Sequence, residues 1–261
     1  MTMMTGQTET SSLRVESDAR THEGRVRELN EDSYVAREKD GFWAVADGMG
    51  GHEKGEWASE VLTEQLGSAD LPSDFDGACK VIAERIYAAN DIVYAEARER
   101  GKQMGSTVVA LYTQGRRFAV LWVGDSRCYL YREGALNQIS RDHSQVQEMI
   151  ERSLLDPGDA EGHPMGHVLA RAVGVQGSLT VDVIVDEIQP GDIFLLCSDG
   201  LHGYVAEGEI ARLLSRADPQ QTTQALIGAT LDRGAPDNVT VIAVMFTEPT
   251  ILSIPQPATA A

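Results

Sequence analysis

Short apolar runs bounded by glycine, proline and acidic residues recur along this chain, with stretches of helical spacing between them. Phe42-Trp43-Ala44-Val45-Ala46 is long enough for one buried strand, and it breaks at Asp47-Gly48 into a glycine-rich turn. Ahead of it, the pattern predicts an entry strand over 13–19, a charged loop over 24–33 and a short strand over 34–36. After it comes a helix over 54–66 and a linker. Ile82, Ile86, Ala89 and Val93 then fall at helical spacing in a long helix over 78–100, for which Gly101 is a fitting stop. From Ser106 the period changes, and 107–140 reads as antiparallel hairpins turning at Gly115-Arg116-Arg117 and Glu133-Gly134. A helix over 145–154, an acidic Gly/Pro-rich loop over 156–166 and a short helix over 168–173 follow. Strands return over 181–188 and 192–200, helices over 207–216 and 219–233, and a last strand over 238–246. Strands and helices thus come in blocks. Antiparallel sheets covered by helices fit that order, and a parallel doubly wound sheet does not.

Composition narrows the class. The 261 residues, 42% hydrophobic, are enough for one sizeable core. A formal net charge of -18 repels phosphate backbones and anionic lipid, so neither nucleic acid nor a membrane surface is an expected partner. No apolar run approaches the roughly 18 residues of a membrane span, and the N-terminus lacks a signal-peptide pattern. Cys79, Cys128 and Cys197 form no CxxC pair, and two of them lie in strand-like apolar runs, which favours core residues in a reducing compartment. A cytoplasmic protein is expected. Residues 1–12 are small and polar and read as disordered, and 248–261 reads as a loose tail.

Four acidic motifs share one local form, an aspartate at the end or start of an apolar strand: Asp47 in AVADG, Asp125 in VLWVGDS, Asp199 in FLLCSDG and Asp237 in APDNVTVIAVMF. One Asp-Gly is an ordinary turn. Four are harder to dismiss, because strands of one sheet can bring their ends to a common rim. Clustered carboxylates raise one another's pKa unless cations compensate. Hard oxygen ligands without a His or Cys partner suit Mg²⁺ or Mn²⁺ rather than zinc.

The motifs RxxxED (Arg27 to Asp32), ADGMGG, GST (Gly105 to Thr107), VGDSR (Gly124 to Arg127), SDG (Ser198 to Gly200) and DN (Asp237, Asn238) occur in that order. The chain resembles the metal-dependent protein phosphatases of type 2C, the PPM family, and in particular their compact bacterial members, from about residue 13 to 247. The resemblance implies an α+β fold, a four-layer α-β-β-α sandwich of two antiparallel sheets flanked by helices, as one catalytic domain with a flap over about 145–168. It implies two Mn²⁺ or Mg²⁺ ions with a possible third, Asp47 bridging the pair and the Gly48 carbonyl on the second ion. Asp199 and Asp237 resemble ligands of the other ion, and Asp125 a ligand of the third. Glu31 and Asp32 match residues that hold metal-bound waters, and Arg27 matches the arginine that binds substrate phosphate. Arginine can fork two N–H donors onto phosphate oxygens, and the competing reading is a surface ion pair with Glu31.

The implied reaction is hydrolysis of phosphoserine and phosphothreonine by a hydroxide held between the ions, with no phospho-enzyme. The implied partners are phosphorylated proteins, including substrates of a bacterial Ser/Thr kinase and that kinase, met by a monomer. One departure concerns protonation. Some relatives carry a histidine after the Asp-Gly pair, where this chain has Met49. His52 reads as a turn histidine, His143 in RDHS as a structural one, and His163 and His167 fall in or beside the flap. Two other readings stand beside the enzyme: an inactive phosphoprotein-binding module, which would predict a lost ligand, and a phosphatase for a small phosphorylated metabolite.

Overall fold

Residues with apolar side chains on both faces of a strand need cover on both sides, and two facing sheets between helix layers supply it. The computed structural model describes residues 13–50, 53–159, 163–166, 168–216 and 218–248. The chain opens with β1 (Arg14–His22), β2 (Asp32–Arg37) and β3 (Phe42–Met49), then α1 (Glu53–Gly67) and α2 (Phe75–Arg100). Next come β4 (Gly105–Ser106), β5 (Val108–Gln114), β6 (Arg117–Val123), β7 (Arg127–Arg132), β8 (Ala135–Gln138) and α3 (Gln145–Glu151). The rest is β9 (Asp182–Glu187), β10 (Ile193–Cys197), α4 (Asp199–His202), α5 (Glu207–Leu214), α6 (Pro219–Asp232) and β11 (Val239–Thr247).

One sheet has the order β1-β11-β10-β7-β8 and the other β2-β3-β5-β6-β9, with β4 paired to β3. Every pairing is antiparallel. Along β3 the side chains alternate between layers. Trp43 and Val45 pack between the sheets with Phe194, Ile242 and Phe246, while Phe42, Ala44 and Ala46 face α1 and α2 with Leu62, Ile82 and Ile86. On the far side Leu195 and Val241 meet Leu213, Leu214 and Leu226 of α5 and α6. The result is the expected α-β-β-α sandwich. Among the described residues no helix is long and apolar enough to cross a membrane. Cys128 and Cys197 are buried and Cys79 is half-buried, all three as free thiols.

Several local expectations need correction. The strand at 42–46 does not turn at Asp47-Gly48. It runs on to Met49, because Gly48 and Met49 pair with Ser106 and Gly105. The long helix starts one turn early, at Phe75, because the Asp74 carboxylate accepts from the Gly77 N–H at 2.7 Å. No helix forms over 168–173, since Leu169 bridges to Ser144 and Val173 to Ser106, which takes the backbone groups a helix would need. The helix after Ser144 ends at Glu151, and Ser153 has a positive φ of 56°. The four-residue α4, with Asp199 in its first turn, has no strong sequence signal.

The largest correction concerns β6 and β7. They are not a hairpin, because β6 lies in one sheet and β7 in the other. The chain changes sheets at Gly124-Asp125-Ser126. Gly124 adopts a φ of 106°, and a Cβ there would lie 2.6 Å from the Thr107 Cβ. Asp125 therefore sits on a crossover between layers. The disorder expected for 1–12 and the loose tail expected beyond Glu248 lie outside the described residues, as do His52 and His167.

Candidate metal centre

At one edge of the sandwich the C-terminal end of β3, the loop before β2, the sheet crossover and the starts of α4 and β11 meet. Arg27, Glu31, Asp47, Asp125, Asp199 and Asp237 line one cavity there, of about 860 Å³. The aspartates do not come from one sheet. Asp47 belongs to the β2–β3 sheet, while Asp199 and Asp237 lie just after β10 and just before β11 of the other.

Hydrogen bonds across the two sheets fix this rim. Asp32 pairs with Asp47 across β2 and β3. Its Oδ2 accepts from Ser198 Oγ and from Thr240 Oγ1, each at 2.7 Å, so the β2 carboxylate is tied to both β10 and β11. Asn238 does the same for the neighbouring loop. Its Oδ1 accepts from the Glu31 N–H at 2.8 Å, and its Nδ2 donates to the carbonyls of Glu23 and Leu29, each at 2.9 Å. Sequence reasoning gave Ser198, Thr240 and Asn238 no role; the adjacent Asp237-Asn238 pair was the available signal for the last.

The GST segment holds Asp47 from the other side. Thr107 N–H donates to the Asp47 carbonyl at 2.8 Å, the Asp47 N–H donates to Thr107 Oγ1 at 3.2 Å, and Thr107 Oγ1 lies 2.7 Å from Ser126 Oγ in the crossover. Gly48 is boxed in. A Cβ on it would come within 2.0 Å of the Gly55 carbonyl oxygen and 2.7 Å of that of Glu31. The Glu31 carboxylate and the Gly48 carbonyl both abut Gly55, since a Cβ there would lie 2.5 Å from Glu31 Oε1 and 2.9 Å from Gly48 O.

Arg27 is half-exposed and donates through Nη2 to Asp237 Oδ2 at 2.8 Å, so its carboxylate partner is Asp237, not Glu31. Arg127 of VGDSR is structural: its guanidinium grips Asp142 through Nε and Nη2. His143 is buried. Its Nδ1 accepts from the Gly124 N–H at 3.1 Å, which leaves Nε2 to donate to Asp182 Oδ2 at 3.1 Å. His163 accepts from the Met165 N–H and does not line the cavity.

The electrostatics are those of a crowded acidic site. Burial pushes Asp32 up to about 7 against the hydrogen bonds from Ser198 and Thr240, and Asp199 and Asp237 add to the rise. Asp125 is also pushed up to about 7, by burial and then by Asp199 and Asp142. Asp47 lies well above the usual carboxylate range because of burial and the charges of Asp32, Asp199, Asp125 and Asp237. Asp32 Oδ1 is buried with no hydrogen-bond partner, a costly state for a carboxylate oxygen unless a cation, or a water on a cation, meets it. All the donors are hard oxygens, which fits Mg²⁺ or Mn²⁺. Among the described residues no three acidic, imidazole or thiol groups already converge on one point. That is compatible with a cation of this kind, which keeps several waters and needs only one or two carboxylates of its own.

The family model for protein phosphatase 2C matches residues 9–152 of the chain. The chain belongs to the protein phosphatase 2C family. It is 32% identical to the serine/threonine phosphatase stp of Listeria innocua over 243 residues, which is 87% of this chain and 94% of that protein. Its fold is similar to that of PppA, a key regulatory component of T6SS in Pseudomonas aeruginosa, with TM-score 0.85 and 38% identity over 90% of this chain and 99% of that one. It is also similar to the catalytic domain of the serine/threonine protein phosphatase PstP, whose structure holds two manganese ions, with TM-score 0.80 and 31% identity over 91% of this chain and 100% of that one. Membership of this phosphatase family makes the chain a metal-dependent protein-serine/threonine phosphatase. Met49 lines the cleft, and its thioether has no proton to give.

Proposed function

We propose that this cleft dephosphorylates phosphoserine and phosphothreonine in proteins, with Asp47, the Gly48 carbonyl, Asp199 and Asp237 holding two Mn²⁺ or Mg²⁺ ions. Asp125 would serve a third ion, and Glu31 and Asp32 would hold ion-bound waters. The observation that carries this reading is the meeting of these carboxylates in one cavity with Arg27 at its wall, while Asp32 Oδ1 is buried without a hydrogen bond. A divalent ion there supplies Lewis acidity, which makes water a nucleophile near neutral pH and offsets charge on the phosphoryl oxygens. The protein's own groups do the positioning. Asp32, Ser198 and Thr240 lock the two sheets together at the rim, so the carboxylates keep their spacing. Arg27, aimed by Asp237, stands at the cleft wall where its two remaining N–H edges can take phosphate oxygens. The substrates would be products of a bacterial Ser/Thr kinase, including the kinase itself, met by a monomer in the cytoplasm. The presence of Asp47, Asp199 and Asp237 on one cleft supports an active enzyme over a binding-only module.

The test is hydrolysis of a phosphothreonine peptide. Turnover is expected with Mn²⁺, and its loss with a chelator and in Asp199→Ala. If saturating Mn²⁺ gives no turnover on any phosphopeptide, the enzyme reading fails. Arg27→Lys keeps the charge but loses the fork. We expect kcat/KM to fall about 10- to 100-fold, mostly through KM, in steady-state kinetics.

A further inference from the structure

Hydrolysis of a phosphoserine or phosphothreonine leaves an alkoxide, which must gain a proton. A positioned acid is worth about 10²- to 10⁴-fold for such a step. Most described residues around the cleft cannot be that acid. Glu31, Asp47, Asp125, Asp199 and Asp237 are the cation-binding set. The guanidiniums of Arg27 and Arg171 do not release protons, and Gln103, Met49 and Met104 offer none of suitable acidity. Thr107 is buried, with its hydroxyl shared between the Asp47 N–H and Ser126. No described histidine lines the cavity. His143 is fastened between Gly124 and Asp182, and the His202 ring lies on the Asp125 carbonyl at 3.1 Å.

Tyr204 remains. Its side chain lines the same cavity and is 37% exposed, and its hydroxyl has no hydrogen-bond partner among the described residues. Its backbone is held in place. The Tyr204 and Val205 N–H groups both donate to the Leu201 carbonyl, at 3.1 and 2.9 Å, and the Gly203 N–H donates to that of Asp199 at 2.9 Å. Leu201 and Val205 on either side are buried. The ring is thus carried at the end of the short helix whose first residue is Asp199. Burial, and after it the charges of Asp199 and Asp237, raise the phenol above its ordinary pKa while Arg27 acts in the opposite sense, so it is protonated at neutral pH. These are the groups around which the phosphoryl group would lie.

We infer that Tyr204 is a catalytic residue that gives its phenolic proton to the seryl or threonyl oxygen as it leaves phosphorus. This rests on the phosphatase reading above. As water oxygen forms the new P–O bond, the bridging P–O bond breaks and its electron pair stays on the alkoxide oxygen. The phenol proton passes to that oxygen and gives the free alcohol. One water proton remains on the product phosphate, the other goes to solvent, and the phenolate takes a proton back from solvent. A phenol is a stronger acid than an aliphatic alcohol, so the transfer runs downhill. Tyr204 would then fill the place that Met49 leaves open.

The experiment compares leaving groups. In Tyr204→Phe, kcat on a phosphothreonine peptide at saturating Mn²⁺ should fall about 10²-fold. On p-nitrophenyl phosphate, whose leaving group is a stable anion, the loss should be at least about tenfold smaller, because little proton donation is needed. Peptide KM should stay within about threefold, and Mn²⁺ affinity by calorimetry should match the wild type. Tyr204→His, which restores a donor, should recover part of the peptide rate and covers the case in which the Phe variant folds poorly by thermal melting. Equal losses on both substrates, or a loss confined to KM, would overturn the assignment and leave water as the donor. A wild-type protein inactive on both substrates would sink the phosphatase reading itself, an outcome distinct from an active wild type with an unselective Tyr204→Phe.

Discussion

Asp47→Asn is expected to lose at least about 10²- to 10³-fold in phosphopeptide turnover while melting higher than the wild type when both are metal-free. The two halves of this result have one cause. The Asp47 carboxylate is disfavoured as an anion by burial and by Asp32, Asp199, Asp125 and Asp237, and its side chain has no hydrogen bond among the described residues to offset this. An isosteric amide removes the repulsion without leaving a cavity. It also removes the charge with which a divalent cation would be held. A stabilisation of about 1 kcal/mol would raise Tm by about 2–4 °C for a domain of this size. Thermal unfolding in chelator and Mn²⁺-dependent kinetics on the same preparations check both halves. A variant that melts lower in chelator would show that Asp47 supports the fold, contrary to its electrostatics.

Chelated wild-type protein is expected to be less stable at pH 8 than at pH 5.5, and excess Mn²⁺ should remove the difference. Asp32 and Asp125 each have a folded-state pKa of about 7, against roughly 3.9 for an unfolded aspartate. Between those values the native protein binds more protons than the unfolded chain. The stability slope with pH is therefore negative across about pH 4–7 and flat above it. His143 opposes this, since burial and Arg171 hold it below its ordinary value and favour the folded state as pH rises. It is one group against two carboxylates, and the net charge of -18 adds repulsion on the side of the carboxylates. Allowing about 1 kcal/mol per carboxylate, Tm should fall by about 4–8 °C from pH 5.5 to 8. A bound cation prefers the deprotonated forms and stabilises the folded state by mass action. Melting curves at both pH values, with chelator and with Mn²⁺, test this; a Tm that rises with pH in chelator would refute the acidic-cluster account.

Periodicity made the helices and inner strands legible. The stripe Ile82, Ile86, Ala89 and Val93 is buried along α2, and the unbroken run of β3 is buried on both faces, as such patterns require. What was hidden depends on partners far away in the chain. The 168–173 segment has a helical composition, but Ser106 and Ser144 claim its backbone. The Gly124-Asp125-Ser126 link has the length of a hairpin turn, and nothing local marks it as a passage between sheets. The aspartates stood out because acidic residues at strand ends are conspicuous. Ser198, Thr240 and Tyr204 did not, because hydroxyl side chains are common and these take their meaning from what they face.

The Asp32 clamp has a consequence for when the enzyme can first exist. Its partners Ser198 and Thr240 lie 166 and 208 residues further along the chain. A ribosome-bound chain that has already made β2 and β3 still lacks the hydroxyls that hold their carboxylates in place. Until β11, the last described strand, pairs with β1 and β10, Thr240 is not in place to hold the Asp32 carboxylate. A chain cut short before Asp237 lacks that carboxylate as well as the Thr240 hydroxyl, and is expected to be silent toward phosphoproteins.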